Sequence, residues 1–78
     1  MSGGPEQGLD RKLIEAHGRG DGDTLTRLYR QAAELAEQAG DVDRACFFYV
    51  HAYVFALEAG HRDADAIRAR LRHFGRED

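Results

Sequence analysis

Histidine, cysteine and aspartate side chains are among the groups in this chain that could act in catalysis or bind a metal. His51 lies within an uncharged run of thirteen residues, Ala45 to Leu57, where an imidazole could serve as a base or a ligand. Cys46 stands five positions earlier, which is about 140° around a helix, so the two cannot hold one metal ion from the same helix. We therefore interpret His51 as a partly exposed or hydrogen-bonded packing residue and Cys46 as a small core residue.

Two segments rich in aspartate invite comparison with metal sites. In the segment HRDAD, Asp63 is expected to cap a helix and Asp65 to complement the helix dipole, which explains both carboxylates without a metal. In the segment GRGDGDT, Asp21 and Asp23 lack the later ligands and the closing glutamate of a calcium loop. We predict no catalytic residue, no metal and no cofactor, and we do not expect an enzyme.

Three arginines near the end of the chain form a predicted secondary basic patch: Arg68, Arg72 and Arg76. We expect them to share one side of the last helix, where they could grip phosphates, so the alternative function is a small helical nucleic-acid-binding protein. A solvated helix face, or ion pairs with the acidic first half, explains the same arginines. The net charge of −3 creates no overall field that attracts nucleic acid, which is therefore the less favoured partner.

The size of the chain favours one small domain that needs a partner. Folding of 78 residues buries only roughly 60% of the surface of the unfolded chain, and the single cysteine forms no internal disulfide. The first 25 residues do not resemble a secretion signal, and the uncharged run is shorter than the roughly 20 residues that span a bilayer. We expect a cytoplasmic protein with no membrane contact, folded as a single domain over residues 1–78.

Glycine and aspartate spacing predicts an all-α fold of four short antiparallel helices without a strand. The predicted helices lie near residues 5–17, 24–39, 42–59 and 64–74. Residues 1–4 are expected to be a flexible N-terminus and residues 76–78 a C-terminal tail. The predicted C-caps are Gly18, Gly40, Gly60 and Gly75. The predicted N-caps are Asp23, Asp41 and Asp63.

Predicted helices 2 and 3 differ in how their apolar residues are arranged. Helix 2 has one apolar stripe that begins at Leu25 and Leu28, with a polar opposite face. Helix 3 is hydrophobic all round, so protein must cover it on several sides and it should form the centre of the fold. We expect the three short neighbouring helices to leave part of the aromatic surface of helix 3 uncovered, and this predicts a homodimer through helix 3 or helix 4.

The hairpin of helices 2 and 3 resembles one tetratricopeptide repeat, a unit of about 34 residues, here from about residue 26 to residue 59. The matching positions are Tyr29, Ala33, Gly40, Asp41, Ala45, Tyr49 and Ala52. The chain departs from the pattern at Ala32 and Ala36, where larger residues are usual, and at Leu57, where the repeat has a proline. A second repeat would begin in helix 4 without being completed.

The resemblance implies a function in docking rather than catalysis. Members of this family hold a peptide or a partner helix on the surface lined by the first helix of each repeat. Carried over to this chain, the partner-binding residues are Arg27, Arg30, Gln31, Glu34, Glu37 and Gln38. The family's basic clamp for carboxylates is absent at these positions, since two of the residues are glutamates, so a basic or mixed-charge protein or peptide partner is expected. A structural subunit of a larger complex is a further alternative.

Overall fold

The computed structural model describes residues 5–76, with side chains from residue 8 onward, and those residues form helices joined by short turns. The helices are α1 (Pro5–Arg19), α2 (Gly22–Gln38), α3 (Val42–Ala59) and α4 (Ala64–His73). The described range contains no strand, and the predicted all-α fold is confirmed. The expected flexible segment 1–4 and residues 77–78 of the expected tail lie outside the described residues.

One turn geometry recurs every 20 residues, at Gly20, Gly40 and Gly60, which have left-handed φ angles of 65°, 78° and 65°. In each turn the residue after the glycine donates its backbone N–H to an alanine carbonyl, at 3.1, 2.9 and 2.8 Å. The three accepting alanines are Ala16, Ala36 and Ala56. This bond and the left-handed glycine define a Schellman C-cap, which satisfies carbonyls that the helix end leaves open. The predicted cap at Gly18 is therefore wrong, because α1 continues through Gly18 to Arg19.

The helix N-termini also differ from the prediction at one position. The Asp21 carboxylate caps α2 by accepting hydrogen bonds from the backbone N–H of Thr24 at 3.2 Å and from its hydroxyl at 2.7 Å. The predicted cap Asp23 is wrong, since it lies in the first turn of α2. Asp41 caps α3 as predicted, with the N–H of Arg44 at 3.1 Å. Asp63 precedes α4 as predicted, but its side chain makes no capping hydrogen bond.

Helices α2 and α3 form a central hairpin that contributes to two adjoining core clusters. The first cluster joins α2, α3 and α4, and its largest buried side chain is Tyr49, which is 2% exposed. Ala33, Ala45 and Ala52 are completely buried there, so the two helix backbones can approach closely. The second cluster joins α1 to α2, with the rings of Phe48 and Phe55 from α3 packed against it. Helix α3 therefore contributes to both clusters, in accord with its predicted central position.

The three neighbours of α3 leave one face of it open. Phe47, Val50, Val54 and Leu57 follow one another at i, i+3, i+7 and i+10 and are 58%, 45%, 45% and 57% exposed. We call these four residues the α3 stripe. Even so, no helix within residues 5–76 combines the length and the apolarity that crossing a membrane would need.

Candidate functional site

Four of the six predicted partner-binding residues form a straight exposed row on α2. Arg27, Gln31, Glu34 and Gln38 recur at i, i+4, i+7 and i+11, and all four are exposed. The row lies opposite the apolar stripe that begins at Leu25, because that stripe anchors α2 to α1 and α3. We call these four residues the α2 row. It presents one cation, one anion and two amides, so it has no net charge.

The other two predicted residues, Arg30 and Glu37, are half-buried and engage the neighbourhood of α4. The Arg30 guanidinium lies 3.1 Å from the Asp63 carboxylate, and its Nε lies 3.4 Å from Glu34. The Glu37 carboxylate accepts a hydrogen bond from Arg70 at 2.6 Å. These two ion pairs join α2 to the start and the middle of α4. The six residues consequently do not form one free surface: four are open, and two mark the edge toward α4.

A buried tyrosine, Tyr49, also bonds to the Glu37 carboxylate that Arg70 contacts. The Tyr49 hydroxyl donates a hydrogen bond of 2.5 Å to Glu37, so that one carboxylate bridges α3 and α4. Burial raises the pKa of Tyr49 to about 12, and the adjacent Glu37 carboxylate adds to the rise. Burial would also raise the pKa of Glu37, but the hydrogen bonds from Tyr49 and Arg70 outweigh it and lower that pKa. Glu37 therefore stays ionised at neutral pH.

Sequence reasoning did not assign Asp63 or Arg70 to this site. The sequence predicts Asp63 to be a helix cap in the HRDAD segment, and nothing near Arg70 in the sequence indicates that it faces Glu37. An open recess lies at one end of the α2 row, beside the ion pair of Arg30 with Asp63. Its lining includes Arg27, His61 and Asp63. In this recess the backbone N–H of Asp63 donates a hydrogen bond of 3.0 Å to His61 Nδ1. The bond lies within the turn before α4, which contains the first three residues of the HRDAD segment.

The predicted arginine row on the last helix is interrupted. Helix α4 ends at His73, and Gly75 turns the chain with a φ of 72°, so Arg76 leaves the helix instead of extending its face. The Arg76 guanidinium donates a 2.7 Å hydrogen bond to Asp43 at the start of α3. Arg68 and Arg72 remain exposed on α4. Of the three arginines, Arg68 and Arg72 lie on α4, and Arg76 lies beyond the end of that helix.

The residues that first suggested catalysis have packing roles. His51 Nδ1 donates to the Phe47 carbonyl at 2.9 Å, and its ring stacks on Tyr29 at 5.1 Å between centroids. Cys46 is a free buried thiol. Across residues 5–76, His, Cys, Asp and Glu side chains do not gather in threes that could hold a metal ion.

Comparison of the chain with protein-family models, with curated proteins and with solved structures finds no match. The fold that the structure defines is an all-α stack of antiparallel helical hairpins.

Proposed function

We propose that this protein is a small docking module similar to a tetratricopeptide repeat, which binds a peptide or a partner helix along the α2 row. The observation that carries the proposal is the row itself, in which Arg27, Gln31, Glu34 and Gln38 stand in line on an exposed helix face. Because the four side chains project from one rigid helix, the backbone that carries them needs no reordering to contact a partner. We propose binding rather than catalysis, in the cytoplasm.

The ion pairs toward α4 support the proposal because they fix one edge of the surface. Arg30 with Asp63, and Glu37 with Arg70, hold α4 beside α2. A partner lying along the α2 row would also meet these pairs. Side chains already held by neighbours lose less conformational freedom on binding, so a preorganised edge favours affinity.

The chemistry of the row indicates the kind of partner. Arg27 and Glu34 are seven residues apart, about two helical turns, so a complementary partner carries an acidic and a basic group about 10 Å apart. Gln31 and Gln38 can donate to and accept from a peptide backbone or polar side chains. A peptide segment or helix of mixed charge meets these requirements, and a terminal carboxylate placed at Glu34 would be repelled.

The experiment is selection from a displayed random peptide library on the immobilised protein, followed by binding of the selected peptides to variants. Arg27→Glu and Glu34→Lys reverse exposed charges in the row, and we expect each to weaken binding at least about tenfold. Arg30 is unsuitable because its reversal would break its pairs with both Glu34 and Asp63, whereas Glu34→Lys leaves the pair that joins Arg30 to Asp63 without a direct change. The matched controls Arg68→Glu and Arg72→Glu reverse exposed charges on α4 and should leave affinity within about twofold.

The proposal fails if no selected peptide depends on the α2 row while all variants keep the helical circular dichroism of the parent. A labelled single-stranded oligonucleotide provides the contrasting probe. Salt-sensitive binding of that probe, lost in the α4 reversals and kept in the α2 reversals, would favour the nucleic-acid alternative. The position of Arg76 weighs against that alternative, because this arginine lies beyond the end of α4 and its guanidinium is bonded to Asp43 of α3.

A further inference from the structure

The α3 stripe is a continuous apolar surface on an otherwise charged protein. At the exposures of Phe47, Val50, Val54 and Leu57, roughly 400 Å² of apolar side-chain surface remains open to solvent. The largest apolar patch on a typical monomer is of about this size and often has a function. The stripe and the α2 row project from opposite sides of the central hairpin, because each points away from the shared core.

We propose that the α3 stripe binds a second copy of this chain, with the two α3 helices antiparallel. The charges at the two ends of the stripe favour the antiparallel orientation of the two helices. At its N-terminal end lie Asp43 and the Arg76 guanidinium bonded to it, and at its C-terminal end lies the exposed Glu58. A parallel pair would place Glu58 against its own copy. An antiparallel pair places Glu58 beside the Asp43–Arg76 pair of the second copy, where the 43% exposed Arg76 side chain can bond both carboxylates, and it also opposes the two helix dipoles favourably.

The spacing of the stripe fixes the register of this pair. A twofold axis midway between Val50 and Val54 sets each of these valines against the other valine of the second copy. The same axis sets Phe47 against Leu57. An open apolar recess lies at the Phe47 end, lined in part by Cys46, Phe47, Val50 and His51, and it accommodates the opposing leucine. Large and small side chains thus interleave as they do between packed helices.

The extent of the stripe indicates the strength of the dimer. Two stripes with their polar rims bury on the order of 1,000 Å² in total, which is the low end of specific interfaces. We therefore expect reversible association with a dissociation constant in the micromolar range. Because the α2 row remains uncovered, a dimer would present two docking surfaces at once.

Sedimentation equilibrium of the full chain between about 1 μM and 1 mM tests the association. The parent protein should convert from monomer to dimer across this range. Val54→Glu brings two negative charges together near the axis and should weaken dimerisation at least about 100-fold, while circular dichroism stays unchanged. Ile14→Glu is the matched control, since Ile14 is a 72% exposed aliphatic residue on α1 outside the stripe. It should dimerise like the parent.

Disulfide trapping tests the orientation. When the Val50→Cys and Val54→Cys proteins are mixed and oxidised, the mixed dimer should form at several times the yield of either homodimer. Preferential homodimers would indicate a parallel pair and would overturn the proposed geometry. A parent that stays monomeric throughout, or a dimer unaffected by Val54→Glu or equally disrupted by Ile14→Glu, would overturn the interface itself.

Discussion

Arg70 and Glu37 lie 33 residues apart in the sequence, yet their side chains meet at 2.6 Å and connect α4 to α2. The Tyr49 hydroxyl of α3 donates to the other oxygen of the same carboxylate. The Glu37 carboxylate thus links α2, α3 and α4. It was predicted to be part of an open binding face, and the structure gives it a share in holding that face against α4.

Glu37→Ala should lower the free energy of unfolding by about 1–3 kcal/mol, because it leaves the buried Tyr49 hydroxyl without an acceptor. The ion pair with Arg70 adds little to this figure, since the Arg70 side chain is 40% exposed and solvent screens the pair. Urea denaturation measures the loss. Glu34→Ala on the same helix is the control and should change stability by less than about 0.5 kcal/mol. Equal losses in the two variants would contradict a special role for Glu37.

Stability should fall in alkali as the pH rises above 10. The pKa of Tyr49 is raised from 10.0 to about 12 by burial and by Glu37, so in this range the unfolded chain releases the tyrosine proton and the folded chain keeps it. The unfolded state is therefore favoured progressively between pH 10 and pH 12. Thermal denaturation over this range checks the slope. Tyr49→Phe should reduce this slope, and an unchanged slope in that variant would refute the assignment.

Asp21→Ala should lower the melting temperature more than Asp23→Ala does. The Asp21 carboxylate accepts hydrogen bonds from the backbone N–H and the hydroxyl of Thr24, and these bonds lower the pKa of its carboxyl group. Asp23 contributes only a charge in the first turn. Differential scanning calorimetry on the two variants distinguishes them, and a larger effect at Asp23 would mean that α2 begins where the sequence pattern first suggested.

Gly18→Ala and Gly20→Ala should change stability in opposite directions. Gly18 lies inside α1, and a methyl group there would meet no atom within 4 Å, so alanine should stabilise the protein by about 0.5–1 kcal/mol. Gly20 has a φ of +65°, where a side chain costs about 1–2 kcal/mol. Chemical denaturation of both variants gives the two signs. Destabilisation by Gly18→Ala would move the end of α1 back to residue 17.

Local patterns predicted the middle of the fold better than its first turn. The central hairpin followed from regular apolar spacing and from the isolated Gly-Asp pair at residues 40 and 41. Between residues 18 and 23, however, three glycines and two aspartates lie close together, so neighbouring positions satisfy the same local rules. Packing decides between them: Ala16 is fully buried, and the Cα of Gly22 lies so close to α3 that an added Cβ would be 3.2 Å from the Cβ of Ala59.

The candidate site was only partly predictable for a related reason. Helical spacing was sufficient to place Arg27, Gln31, Glu34 and Gln38 on one exposed face. Whether Arg30 and Glu37 belong to it depends on where α4 lies, and that depends on Ile67 and Leu71 filling the core beside α3. The spacing of residues within one helix does not contain this contact between distant segments.

The recurring turn at Gly20, Gly40 and Gly60 has a consequence for how quickly the chain folds. Each turn brings a helix back against the helix that preceded it, so the main packing contacts join α1 to α2, α2 to α3 and α3 to α4. Closing such short loops costs little chain entropy, and proteins dominated by local contacts fold within microseconds to milliseconds. The α2–α3 hairpin, which has the most extensive packing, is a natural nucleus to which α1 and α4 can add independently.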